Sequence, residues 1–394
     1  MTFILNNKKI IGRIFLLLFV TCCMLLAGCT VNTAKGGTDA SGSRQLPLSF
    51  ATQFSAESLE GGYWHIHVED GTDYIVVPKG LPDQTFSYPD AVIIRQPVSS
   101  IYLAASSAMD LFMQLDALDT IATCSTKAED YSIEEAAEKI GDGSIRYVGK
   151  YSAPDYEAIL ASGCTLAVES TMILHAPSIK EELERLSIPV VVERSSYETD
   201  PLGRLEWIKF YGILLGKEQE ACDFYEREAE KVRQVTETAK GMPDNNAKPE
   251  VAFFYISSNG YVNVRKPGDY VSKMIELAGG TYCPNDLDLP EENALSTVNI
   301  NWEDFYLKAR DADILIYNAT IDEGINSVED LLAKSALFAD FKAVKNDAVF
   351  CTKADMFQKS SAVADIITDL NHVIAGGEDE DLTYLYHVNG QGMQ

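Results

Sequence analysis

The chain has 394 residues, 46% of them hydrophobic, and a formal net charge of −27 at pH 7. That length can build more than one hydrophobic core. So large an acidic excess leaves out the Lys and Arg surplus that phosphate contact needs, so nucleic acid is not an expected partner. An acidic surface aids solubility and steers cations or a basic docking face.

The first element is a short apolar run. Lys8, Lys9 and Arg13 give a basic start, and Ile14 to Leu26 is almost wholly apolar. About 13 helical residues rise only ~20 Å, too little for a ~30 Å hydrocarbon core. A basic start, a short apolar stretch and small residues before a cut site read as a secretory signal. Leu26-Ala27-Gly28-Cys29 resembles the lipobox of bacterial lipoproteins. That resemblance implies a signal peptide over residues 1–28 and a diacylglycerol on the Cys29 sulfur; the alternative is an ordinary signal that ends near a Cys. Thr33 to Ser43 (TAKGGTDASGS) has no large apolar residue and reads as a flexible linker. Residues 29–60 are therefore expected to be a tether, holding the body on the extracytoplasmic face of the cell membrane, in the periplasm where an outer membrane exists. No other apolar run reaches the ~18 residues a membrane span requires.

Eight cysteines are present; Cys22 and Cys23 lie in the signal and Cys29 in the lipobox. Cys124, Cys164, Cys222, Cys283 and Cys351 remain, with no C-x-x-C spacing. They read as buried apolar thiols, with a Cys124–Cys164 disulfide left open.

Residues 62 to 77 alternate around Asp70-Gly71 and predict a β-hairpin, within an extension over residues 61–90. A strand at Ala91 to Ile94 and a helix over Ser99 to Leu115 follow. Strands at Thr120 to Thr123, Tyr147-Val148, Thr165 to Val168 and Pro189 to Val192 then alternate with helices at Ile133 to Lys139, Asp155 to Ser162 and Pro177 to Leu186. This alternation predicts a parallel sheet covered on both faces, over residues 91–200.

Residues 201–242 change character. Lys217 to Lys240 is the strongest helix signal, ~36 Å long and stopped by Gly241-Met242-Pro243. A second alternating unit spans residues 243–375. It has strands at Val251 to Ile256, Ile314 to Tyr317 and Val349-Phe350, and helices at Tyr270 to Ala278, Trp302 to Lys308, Ser327 to Leu332, Leu337 to Phe341 and Ala362 to Ile374. Residues 376–394 read as a loose tail in which Leu382 to His387 could dock. The expected fold is α/β: two Rossmann-like three-layer lobes joined by one long helix. Ligands bind at the carboxyl ends of strands in such sheets, so the two lobes create one cleft.

Several stretches carry a resemblance. VGKYSAPDYEAILASGCTLAV, LSIPVVV, PLGRLEWIKFYGILLGKEQEACDFYE, GYVNVRKPGDYVSKMIELAGG and DADILIY, in that order, resemble the substrate-binding proteins of ABC importers for ferric siderophores, haem and cobalamin. The likeness covers roughly residues 85 to 375 and leaves the hairpin at 62–77 without a role. It implies a monomeric, non-catalytic receptor without a cofactor, which captures an iron–siderophore or similar metal-chelate complex and delivers it to an ABC permease. Cobalamin and haem are the alternatives within that family.

The candidate ligand-binding residues lie in loops after strands. They are Glu169, Ser170, Met172 and His175; Arg194, Ser196 and Tyr197; Ser258, Asn259, Tyr261 and Arg265; Asn318; and Met356. Arg194 and Arg265 fit either a carboxylate- or catecholate-binding fork or a structural ion pair. Tyr197 and Tyr261 either stack on a ligand or pack. Met172 and His175 fit axial ligation of haem or cobalt, or simple solvation. His65 and His67 alternate on one strand face and read as exposed strand residues rather than a metal pair. By the resemblance, an acidic residue on each lobe meets the permease: Glu181 or Glu182, and Glu303 or Asp304.

Rival readings lack their signatures. There is no G-x-S-x-G, H-E-x-x-H, P-loop or G-x-G-x-x-G after a strand, and five His in all leave a hydrolase few possible bases. A zinc or manganese receptor needs a His cluster that is missing, so no metal site is expected. A surface adhesin would not need polar loops facing a cleft.

Overall fold

The computed structural model describes residues 44–241, 248–287, 296–321, 325–377 and 382–388. The expected signal peptide, Cys29 and the first part of the tether lie outside them.

Residues 44 to 95 form a sheet of their own. Strands β1 (Arg44–Gln45), β2 (Phe54–Ser58), β3 (Trp64–Val68) and β4 (Thr72–Val77) make an antiparallel meander, and β5 (Val92–Arg95) joins parallel to β4. The expected hairpin is thus β3–β4, set inside a larger sheet. Trp64, Ile66 and Val68 bury one face in the main core. On the other face, His65 Nε2 and His67 Nδ1 share Asp73 Oδ1 at 2.7 and 2.9 Å, and His65 stacks on Tyr88. Burial draws the Asp73 carboxyl upward, but hydrogen bonds and charge from the two imidazoles outweigh it and hold it below the usual carboxylate range. Two expectations are corrected. The tether does not reach residue 60, because the chain is already ordered from Arg44. The strand near residue 91 belongs to this sheet and not to the first lobe.

The first lobe runs β6 (Ile101–Leu103), α1 (Met109–Gln114), β7 (Ile121–Cys124), α2 (Glu134–Gly141), β8 (Arg146–Tyr147), α3 (Tyr156–Ala161), β9 (Leu166–Ser170), α4 (Pro177–Arg185) and β10 (Val190–Glu193). All its strands are parallel, in the order β10-β9-β6-β7-β8. Asp155 caps α3 by accepting the Ala158 N–H at 3.0 Å. The predicted helix over Ser99 to Leu115 is in fact strand followed by helix. β6 is buried throughout, so it reads as a continuous apolar run that periodicity cannot tell from a buried helix.

Helix α5 (Pro201–Leu215) ends at Gly216, whose φ of 67° suits glycine, and α6 (Glu218–Lys240) follows. The 23 residues of α6 carry the chain ~35 Å to the second lobe.

The second lobe comprises β11 (Glu250–Ile256), β12 (Val262–Arg265), α7 (Tyr270–Leu277), β13 (Thr281–Cys283), β14 (Thr297–Ile300), α8 (Trp302–Ala309), β15 (Ile314–Tyr317), α9 (Val328–Lys334), α10 (Lys342–Lys345), β16 (Val349–Thr352), α11 (Val363–Ile374) and β17 (Leu385–His387). Its sheet is mixed. The order is β14-β12-β11-β15-β16-β17, with β13 also on β11. β12 and β17 run antiparallel to their neighbours, and the rest run with β11. The expected loose tail is corrected in part: Asp369 on α11 accepts the N–H groups of Thr383, Tyr384 and Leu385, which seats β17 beside β16. Residues 378–381 and 389–394 of that tail lie outside the described residues.

One continuous core joins the first sheet, the inner face of lobe one, α5, α6, α7 and α11. Separate cores fill the outer faces of lobe two and lobe one. The lobes are therefore welded through packed helices. The five described cysteines are free thiols, Cys124 and Cys164 included.

Candidate functional site

Strand direction decides which edges carry function. In lobe one, the loops after β6, β7, β9 and β10 all leave the same edge. In lobe two, the loops after β11, β14, β15 and β16 share one edge. Hydrogen bonds show that these two edges face each other. Gln358, just past β16, accepts from the Ser132 N–H at 2.8 Å and donates to the Asp130 carbonyl at 2.9 Å. Ser360 Oγ donates to the Ser107 carbonyl at 2.7 Å, and the Ser361 N–H to Asp110 Oδ2 at 2.6 Å. One loop of the second lobe is thereby stitched to loops after β6 and β7 of the first.

Beside that seam lies an aromatic and cationic floor. The Arg204 guanidinium sits 4.0 Å from the Tyr270 ring centroid, and that of Arg265 sits 4.9 Å from it. Arg204, Tyr270, Met274, Met356, Phe357 and Lys359 line a cavity of about 20 Å³, room for one water. Arg265 is buried and clamped by Asp269, with Nε–Oδ1 at 2.7 Å and Nη2–Oδ2 at 3.0 Å. Asp269 also caps α7 through the Val271 N–H. Of the two readings left open for Arg265, the structure shows the ion pair. Glu193 closes β10 fully buried; burial drives its carboxyl upward, against the hydrogen bonds of Ser195 and the charge of Arg204.

The lips of the cleft expose apolar side chains on both lobes. Met172 and Leu174 after β9 are 48% and 51% exposed, and Tyr261 after β11 and Ile321 after β15 are 50% and 62% exposed. Such residues on facing edges suit a large ligand with apolar surface. His175 is exposed beside Leu174. Arg194 is half-buried, 4.5 Å from the Tyr197 ring centroid, and Ser196 contacts Thr171 at 3.3 Å, which joins the loops after β10 and β9. Ser258 and Asn259 are exposed at the tip of the β11–β12 turn.

Other predicted residues are placed differently. Glu169 and Ser170 do not begin a loop: both remain in β9, with Ser170 capping the short turn that follows through the Met172 N–H at 3.3 Å. Glu169 has no exposed surface, and neither carboxylate oxygen has a hydrogen-bond partner. Burial raises it to about 8. Asn318 is buried and accepts from Thr320 N and Oγ1, which makes it a turn former. Met356 is buried in the floor. Glu181 on α4 is exposed, while Glu182 is paired with Arg185. Glu303 and Asp304 occupy the exposed first turn of α8, where negative charge suits a helix N-terminus. Both helices start at the cleft-side edge of their lobe. Among the described residues, no group of three or more His, Cys, Asp or Glu is arranged to hold a metal ion.

Sequence reasoning missed Arg204, Tyr270, Phe357, Gln358, Leu174 and Ile321. Arg204 lies in a helix that is buried on almost every side, and Tyr270 in the first turn of an amphipathic helix, so neither stands out from its local pattern. Ile321 follows the Asn318-Ala319-Thr320 loop that was singled out, and Leu174 lies between two selected residues.

Two α/β lobes with facing carboxyl edges and an aromatic, polar cleft define a binding protein. The periplasmic binding protein family matches residues 101–356. The chain is 28% identical over 254 residues to an uncharacterized lipoprotein, MJ0878, of Methanocaldococcus jannaschii; the match covers 63% of this chain and spans only 57% of that relative's length. Among solved structures, it resembles a periplasmic heme binding protein from Pseudomonas aeruginosa, with a TM-score of 0.58, 14% identity, and coverage of 75% of this chain and 98% of the other. It also resembles an ABC-type Fe3+-hydroxamate transport system protein from Saccharomonospora viridis, with a TM-score of 0.52, 19% identity, and coverage of 71% and 94%. These two likenesses concern the fold. The chain belongs to the periplasmic binding protein family.

Proposed function

We propose that this protein is an extracytoplasmic, lipid-anchored receptor of an ABC importer, which captures an iron(III)–siderophore-type complex between its lobes and hands it to the permease. The observation that carries the reading is the pair of facing strand edges, floored by Arg204 and Tyr270 and lipped by Arg194, Tyr197, Met172 and Tyr261. Guanidinium groups beside rings suit an anionic, aromatic chelate. The Leu26-Ala27-Gly28-Cys29 sequence supports the lipid anchor, and no helix among the described residues is long and apolar enough to cross a membrane. Haem or cobalamin is the second reading, favoured by Met172 and His175 exposed on one short turn.

Titration of tryptophan fluorescence in the chain from residue 30, against ferric catecholate, ferric hydroxamate, haem and cobalamin, tests the reading. Sub-micromolar quenching by a ferric chelate is expected. Tight binding of haem or cobalamin alone selects the second reading, and binding of none of the four contradicts both. We assign docking to one acidic residue on each lobe, Glu181 or Glu182 on the first and Glu303 or Asp304 on the second. Reversing charge on both lobes should abolish uptake and leave affinity unchanged; a fall in affinity would reject that assignment.

A further inference from the structure

The segment that leads from the tether into β2 is bound to the molecule in an unusual way. Glu206 on α5 has no exposed surface and accepts the consecutive N–H groups of Ser49, Phe50 and Ala51 at 2.7 to 2.9 Å. Glu198, in the loop after β10, accepts those of Thr52 and Gln53 at 2.8 and 2.9 Å, with Thr52 Oγ1 at 2.9 Å and Trp207 Nε1 at 3.1 Å. Two carboxylates thus hold five successive backbone amides, the strongest kind of neutral-donor contact available to an anion. Gly203 permits the approach, because a Cβ there would stand 2.9 Å from the Phe50 carbonyl oxygen.

This strap ends beside the cleft. Gln53 is fixed at its N–H by Glu198 and at its carbonyl by the Glu69 N–H at 3.0 Å. Its side-chain Oε1 accepts from Arg194 Nε at 3.2 Å, and its Nε2 is turned toward Thr52 Oγ1 at 3.4 Å. The Arg194 guanidinium also lies on the Tyr197 ring. Gln53 occupies Nε and the Tyr197 ring covers one face, which leaves the two terminal nitrogens, a fork, without a hydrogen-bond partner among the described residues. A flexible arginine loses side-chain entropy when it binds an anion; one already held on two sides loses less.

We propose that Gln53 is a positioning residue that presents the Arg194 fork to an anionic group of the ligand, and that the strap over residues 49–53 exists to hold it there. The proposal rests on the reading of Arg194 as a ligand contact. It gives the segment before the first lobe a task in binding specificity. A neutral amide suits that task, because it orients the guanidinium without consuming its charge.

The test compares wild type, Gln53→Ala, Gln53→Glu, Arg194→Ala and the Gln53→Ala/Arg194→Ala double variant. Each is titrated with a ferric tris-catecholate, and the order of the Arg194 Nε–H is read by 15N relaxation without ligand. Arg194→Ala should weaken binding about tenfold. Gln53→Ala should weaken it several-fold with its melting temperature nearly unchanged, and the double variant should be no weaker than Arg194→Ala alone. Gln53→Glu should weaken binding while Arg194 stays ordered, since the new carboxylate claims the guanidinium. Gln53→Ala should leave the Arg194 Nε–H disordered. Multiplying effects in the double variant, or an Arg194 that stays ordered in Gln53→Ala, would overturn the proposal. If wild type binds no ferric chelate, the functional reading falls, and the relaxation data still decide whether Gln53 orders Arg194.

Discussion

Glu206 and Glu169 are both completely buried, and they live in opposite surroundings. Glu206 accepts three backbone N–H groups and the Lys209 ammonium at 3.0 Å; Lys209 in turn donates to the Pro47 carbonyl at 2.8 Å and lies 3.8 Å from the Tyr225 ring centroid. Glu169 sits on the face of lobe one shared with Tyr102 and Thr123, and its two oxygens, the Tyr102 hydroxyl and the Thr123 hydroxyl all lack a partner. Burial alone therefore says nothing about a carboxylate's role. Glu206 is an anchor whose partners depend on it. Glu169 is uncompensated, and its rise to about 8 means that the fold holds it with its proton.

The largest effect should come from breaking the anchor. Glu206→Ala orphans the strap amides and leaves Lys209 charged in the core, at a cost of about 3–5 kcal/mol in urea denaturation. A loss below about 1 kcal/mol would mean that the strap is merely laid on the surface.

The unanchored carboxyl should behave in the opposite sense. A folded-state pKa near 8 against an ordinary 4.5 means that the native state holds the proton more tightly than the unfolded chain. Stability is then full at acid pH and falls as pH rises, by up to about 1.4 kcal/mol per pH unit across that interval. Glu169→Gln should remove the slope, matching wild type near pH 4.5 and exceeding it by about 2–4 kcal/mol at pH 8. Parallel melting curves for the two proteins at every pH would reject the assignment.

Asp73 supplies the smallest contrast, a half-exposed carboxylate served by two imidazoles. Its depressed pKa contributes stability above the ordinary carboxylate range that is lost as pH falls through the folded value. Asp73→Asn should cost below about 1 kcal/mol at pH 7 after solvent screening, and nothing in strong acid. Thermal melts at the two pH values decide it.

Much of the architecture was legible because it is written locally. The Ala- and Glu-rich run of α6 and the buried strands β9, β10 and β15 all announce themselves within a few residues. β12 and β14 did not, since their pairing is antiparallel and stabilised partly by Asn263 with Asn299, a polar contact that breaks the apolar signal. The site was legible only as a set of loops. Arg194, Met172 and Tyr261 were singled out because they follow strands, and the structure places Met172 and Tyr261 exposed at the cleft edges and Arg194 half-buried there. Arg204 was missed because nothing in α5 reveals that its partner ring is Tyr270 in the other lobe. The strap was misread as tether for the same reason: its carboxylate partners lie about 150 residues further along the chain, and no local pattern records a contact of that separation.

The central claim is that ligand seats between the two facing strand edges. Hydrogen exchange with and without a ferric tris-catecholate tests it most directly. Slower exchange should appear in the segments 104–110, 194–198, 257–261 and 353–361 together, with the back edges of both sheets unchanged. Protection confined to one lobe, or to surfaces outside these four segments, would contradict the account.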